Sequence, residues 1–203
     1  DGSFEQNDNV FHIFNFVDRL KYSPIECSGE RYTAPSMYEN AEQILPSKEI
    51  FNERLSKFSY GYLNEFDWSN VVLMGGSISL LLNEKLNIDD FPYSDVDLFV
   101  WGEDRVATIN RIIDHFSKFG DEVLVYTCGS VVSIFIRNIK RNFQIINSGV
   151  EDIFTIMNTF DCGISQLWFD GENVQSTAIG LVSLAHQVSP VILNKTLPSR
   201  LYK

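Results

Sequence analysis

Apolar positions along this chain alternate between two periods, and the switch from one to the other divides it into elements. Val71 to Met74 is a short unbroken apolar run of strand character, and Gly75-Gly76-Ser77 follows it directly. Ile78 to Leu86 then reads as a helix. After a polar loop, Asp95 to Val100 alternates Asp, Val, Asp, Leu, Phe, Val, the period of a strand. Glu103 to Phe119 carries Val106, Ile109, Ile112, Ile113 and Phe116 at helical spacing, and Gly120 closes it. Glu122 to Thr127, Val131 to Arg137 and Phe143 to Asn147 are β-rich runs separated by turn residues, as in an antiparallel meander beside the Asp95 strand. A short helix at Val150 to Asn158, a strand at Cys162 to Phe169, a turn at Asp170 to Asn173 and a closing helix at Thr177 to Gln187 complete the pattern.

Upstream the pattern is weaker. Val10 to Leu20 suits helix or strand. Residues 21–46 are loop-like, interrupted by a short helix at Met37 to Ile44. Pro46-Ser47 starts an amphipathic helix over 47–65. The expected fold is α+β, a mixed sheet with flanking helices. Its expected divisions are a disordered tail at 1–9, a helical and irregular segment at 10–66 packed on the core, and the core itself at 67–203.

Composition narrows the function. With 16 Lys+Arg against 27 Asp+Glu, the formal charge of −11 lacks the general positive field that drives sequence-independent nucleic-acid binding. Arg137, Lys140 and Arg141 read as a solvated hairpin turn. Cys27, Cys128 and Cys162 form neither a disulfide framework nor a zinc motif, which points to a reducing, cytoplasmic setting. No apolar run approaches the roughly 18 residues of a membrane span, so no membrane partner is expected. His12, His115 and His186 are scattered and make no ligand motif, and Trp68, Trp101 and Trp168 suit core or rim packing.

One conflict stands out. A strand that buries Val96, Leu98 and Val100 has no structural use for Asp95 and Asp97, because carboxylates are rarely buried without a partner or a metal. Residues two apart on a strand share a face, about 6.5 to 7 Å apart along the backbone. Two carboxylates so placed repel unless a divalent cation lies between them. Glycines at a strand-to-helix junction let a ligand approach the backbone, and the free N–H groups of the helix start favour phosphate. Ser77 adds a hydroxyl for a cap or a phosphate oxygen. Magnesium takes one or two carboxylates together with substrate phosphates, which this pairing offers.

LMGGS, a helix and then SDVDLF resemble the nucleotidyltransferase fold of poly(A) polymerases, β-type DNA polymerases and cyclic-dinucleotide synthases. FQII and EDIFTIMNTFDCGISQLWFDG are similar to a subgroup seen in large DNA viruses and in ankyrin-repeat proteins, so the resemblance spans about residues 70 to 187. It implies that Gly75, Gly76 and Ser77 hold a nucleoside triphosphate, and that Asp95 and Asp97 bind Mg²⁺ or Mn²⁺. It further implies transfer of a nucleoside monophosphate to a hydroxyl of an RNA 3′ end or a protein. Two departures accompany it: the Asn87 to Tyr93 loop is longer than usual, and the family's third carboxylate position matches Gln144. Asp161 is the remaining candidate for that third group. Two other readings stay open: a nucleotidyltransferase-fold binding or assembly module that has lost its chemistry, and a D-x-D glycosyltransferase.

Overall fold

A computed structural model describes residues 10–18, 20, 26–27, 30–31, 45–120, 122–186 and 188–190. The expected tail at 1–9 and the expected helix at Met37 to Ile44 lie outside the described residues. The fold is α+β, built on an eight-stranded mixed sheet. In chain order its strands are β1 (Val10–His12), β4 (Val71–Met74), β5 (Val96–Val100), β6 (Val123–Cys128), β7 (Val131–Ile136), β8 (Phe143–Asn147), β9 (Leu167–Phe169) and β10 (Val174–Thr177). A separate hairpin pairs β2 (Glu26–Cys27) with β3 (Glu30–Arg31). The sheet order is β1-β10-β9-β4-β5-β8-β7-β6. Every neighbouring pair runs antiparallel except β5 and β8.

The α-helices are α1 (Lys48–Phe58), α2 (Gly76–Leu81), α3 (Arg105–Ser117), α4 (Ile153–Met157) and α5 (Ala178–His186). The sheet separates two unequal cores. On one face Val71, Leu73, Val96, Leu98, Val100, Phe143 and Ile145 pack against Phe51, Leu55 and Phe58 of α1, Ile78 and Leu81 of α2, and Ile112 and Phe116 of α3. On the other face Val72, Met74 and Trp168 meet Ile153, Ile156 and Met157 of α4, and Phe99 packs 5.7 Å from Phe160. Central β4 is buried on both faces, whereas β5 buries only Val96, Leu98 and Val100. The period-two pattern that set Asp97 apart therefore marks a real difference between faces.

Several boundaries move for identifiable reasons. The helix expected over 47–65 stops at Phe58, because Tyr60 (φ 52°) and Gly61 (φ 78°) turn left-handed and the Gly61 N–H donates to Ser56 O at 2.8 Å. The helix expected over Ile78 to Leu86 starts earlier, at Gly76, and stops at Leu81. There the Arg54 guanidinium donates to the Leu80, Leu81, Asn83 and Leu86 carbonyls at 2.7–3.1 Å, satisfying acceptors that a finished helix leaves open. Val10 to Leu20 resolves into β1 followed by a 3₁₀ turn at Ile13–Phe16. The strand expected at Cys162 to Phe169 is a 3₁₀ turn at Gly163–Ser165 and then β9. Strand β10, Val-Gln-Ser-Thr, is too short to stand out in the sequence and forms where the turn after β9 folds it back into register.

Helix α3 corrects one face assignment. Thr108, Ile112 and Phe116 point inward at i, i+4 and i+8, with Ile109 and Ile113 at the flank. Val106 lies on the opposite side, 68% exposed. Ile112→Ala should therefore lower the unfolding free energy by about 2–5 kcal/mol. Val106→Ala should stay within about 0.5 kcal/mol of wild type, as exposed positions do. Urea denaturation of the two variants distinguishes this face from its alternative.

Candidate active site

The register of β4 on β5 builds the site. Met74 lies opposite Asp97, so the chain leaving β4 at Gly75 passes directly over the Asp97 side chain. Gly75 has φ 91° and ψ −160°, a conformation for which side chains are strained. A Cβ built there would sit 3.3 Å from Asp97 Oδ2. Turn and carboxylate are thus close neighbours, and a side chain here would be strained by its backbone and crowded by Asp97. Gly76 is different, since its added Cβ would meet nothing within 4 Å.

Ser77 departs from its expected use. The N-cap of α2 is Gly75, without a side-chain cap, and Ser77 is 3% exposed with its hydroxyl donating to Met74 O at 3.4 Å. Its side chain ties the helix start to β4. What the turn offers a ligand is backbone N–H, as at any helix start.

Asp95 immediately precedes β5, and the next residue, Val96, donates its N–H to Asn142 O at 2.9 Å. Asp97 is half-buried within the strand. Burial, and then the nearby Asp95 charge, push the Asp97 carboxyl up to about 6. Strand β8 lies parallel to β5 with Gln144 beside Asp97, and Ser133 of β7 lies beside Gln144. The third-carboxylate position of the resembled family is therefore next to the pair, and it holds an amide.

Asp161 is 3% exposed and follows Phe160, the residue packed on Phe99. Among the described residues no three His, Cys, Asp or Glu side chains come together to hold a metal ion. The donor set that is present, two carboxylates beside a glycine turn with room only for backbone, fits a magnesium ion that shares its ligands with phosphate.

Arg141 was concealed by its sequence context. Instead of lying on a solvated turn with Arg137 and Lys140, it is 2% exposed, its Cζ 3.7 Å from the centre of the Phe58 ring. Nη1 donates to Ser94 O at 2.6 Å. Nothing in the RNIKRNF stretch separates Arg141 from its basic neighbours; only the packing of Phe58 does.

Residues 48–188 match the family model for Gabija anti-defense 2 family proteins. The chain belongs to that family. The matched span of this Gabija anti-defense 2 family member opens at the first residue of α1, closes just beyond α5, and contains Gly75, Gly76, Ser77, Asp95, Asp97, Gln144 and Asp161. The chain is also 27% identical over 204 residues to an uncharacterized protein of Acanthamoeba polyphaga mimivirus, covering 91% of this chain and 42% of that relative. It thus spans less than half the length of the viral protein. Among the described residues no helix is long and apolar enough to cross a membrane.

Two outcomes follow from the site geometry. Gly75→Ala should cost about 1–3 kcal/mol in urea denaturation through backbone strain and the Asp97 contact, whereas Gly76→Ala should be neutral or stabilising by up to about 1 kcal/mol. The second concerns pH. A carboxyl whose folded pKa is about 6, above the ordinary 3.8, favours the folded state most at low pH, and that contribution disappears as pH rises from about 4 through 6. Asp97→Asn should remove this dependence, so its stability relative to wild type rises across that interval. Parallel pH dependences for the two proteins would contradict the perturbed carboxyl.

Proposed function

We propose that this protein is a metal-dependent nucleotidyltransferase, which moves a nucleoside monophosphate from a nucleoside triphosphate to a hydroxyl acceptor and releases pyrophosphate. The observation that carries the reading is the contact between the Gly75 turn and Asp97, because it brings a phosphate-accepting backbone and a carboxylate pair to one point. Asp95 and Asp97 would hold Mg²⁺ or Mn²⁺. Bound there, the ion supplies charge neutralisation on the triphosphate and polarises an acceptor oxygen. The turn at Gly75-Gly76 directs N–H groups at the phosphates, and the absence of a side chain at Gly75 lets the phosphates approach Asp97. Gln144, beside Asp97, can orient a hydroxyl or a phosphate by hydrogen bonding but cannot take up its proton, which leaves Asp95 and Asp97 as the carboxylates at hand.

The family name supports a biological setting. A protein grouped with Gabija anti-defense proteins and similar to a mimivirus protein is one we place inside an infected cell, where it modifies a component of a host defence by nucleotidyl transfer to RNA or protein. The reducing interior of a cell also suits Cys128, a free and exposed thiol.

The amide at Gln144 favours a second reading, in which the same site binds a metal–nucleotide complex without turning it over. A D-x-D glycosyltransferase is disfavoured because its sugar-nucleotide site has no need of a glycine turn against the second aspartate. Calorimetric titration with Mn²⁺ and ATP, and with the other nucleoside triphosphates, should give heat that Asp95→Ala with Asp97→Ala abolishes. Incubation with α-labelled triphosphates and an RNA oligomer or candidate protein acceptors should then transfer label in the wild type alone. Binding without transfer under Mg²⁺ and Mn²⁺ would select the second reading, and absence of binding would remove both.

A further inference from the structure

Among the described residues Arg141 is the one fully buried cation. Burying a charge is costly unless it is paired and fully hydrogen-bonded. Arg141 is neither. Its Nε is buried without an acceptor, and Nη1 has the single bond to Ser94 O. The guanidinium stacks on Phe58 of α1. Burial lowers the Arg141 pKa, offset by the nearby Tyr60, Asp95 and Asp89. A hydrophobic residue would fill the same space without an orphaned donor, so the fold alone does not account for an arginine here.

Its connections do. Ser94 is the residue before Asp95, and Arg141 holds its carbonyl. One residue on, Asn142 O takes the Val96 N–H, so residues 141 and 142 grip the backbone on either side of Asp95. The other end of the grip is anchored by the Phe58 ring, on the helix whose Arg54 also fixes the end of α2. Because the guanidinium is engaged by a carbonyl and a ring, the Asp95 oxygens are left for another ligand.

We infer that Arg141 is a positioning residue, which fixes the start of β5 so that Asp95 and Asp97 are held in metal-ready geometry before the ion arrives. This rests on the reading of Asp95 and Asp97 as metal ligands. Charge and geometry predict opposite signs here, which makes the role measurable. Removing a nearby positive charge should by itself tighten binding of a divalent cation. Losing the grip on Ser94 should weaken it.

The test is Mn²⁺ binding to the full chain without nucleotide, followed by electron paramagnetic resonance of the free ion, at a temperature well below unfolding. The wild type should bind, and Asp95→Ala with Asp97→Ala should not; failure at this step sinks the metal reading and the inference together. Given that binding, Arg141→Met should weaken Mn²⁺ affinity tenfold or more. Arg141→Lys keeps the charge but loses the planar stack and fork, and should weaken it at least threefold. Leu184→Ala, a core truncation in α5, controls for lowered stability and should bind as wild type does. Wild-type or tighter affinity in Arg141→Met overturns the inference while leaving the metal reading intact. Should that variant not fold, wild-type affinity in Arg141→Lys overturns it equally.

Discussion

The pairing of β4 with β5 is the constraint on which the functional face of this protein depends. Opposite Met74 stands Asp97, and the next residue of β4's chain must turn away over that carboxylate. A residue without Cβ does so without strain, because the turn needs φ 91° and an added Cβ would crowd Oδ2 at 3.3 Å. A slip of one residue in this register would send Asp97 into the larger core and bring Val96 or Leu98 to the site face. The buried side chains of β5, fixed among α1, α2 and α3, prevent that slip. The larger core therefore selects the register, and the register presents the acidic pair.

Helix α1 extends the same control to both halves of the site. Arg54 holds the carbonyls at the end of α2, while Phe58, one turn later on the same helix, carries the guanidinium that holds Ser94. Turn and strand are thus tied to one rigid element from behind. This arrangement suits a site that must keep two like charges close. Burial first, and then the Asp95 charge, raise the Asp97 carboxyl to about 6.

Much of this was legible in the chain. Alternation in Asp95 to Val100 and the glycine turn after Met74 stand out in the sequence, because local pattern and burial disagree there, and the fold places Gly75 beside Asp97. The position of Gln144 beside Asp97 followed from strand order and is what the register shows. What could not be read was tertiary. Arg141 looks solvated beside Arg137 and Lys140 until Phe58 packs over it, and Val106 fits the apolar stripe of α3 until the helix is rotated onto Ile112 and Phe116. Asp161 stands out in the sequence by its place at the start of the later strand; in the fold it is buried, 3% exposed, beside Phe160. Ser77, placed after two glycines, suits a cap or a phosphate oxygen, but the tight exit from β4 makes Gly75 the cap and turns the hydroxyl toward Met74 O.

The two sides of the site also differ in what they can admit. Toward β4 and β9 the face is closed by Met74, Trp168, Phe99 and α4. Toward β8, β7 and β6 the described residues leave it less covered, and the row beside Asp97 continues through Gln144 and Ser133 to Tyr126, which is 60% exposed. Amide and hydroxyl come first along this row, and an aromatic ring comes last. A carboxylate in place of Gln144 would add a negative charge beside Asp97, whose carboxyl burial and then Asp95 already raise, with Arg141 the one fully buried cation among the described residues. An amide at Gln144 avoids that charge and keeps a donor and an acceptor beside Asp97, at the loss of a base.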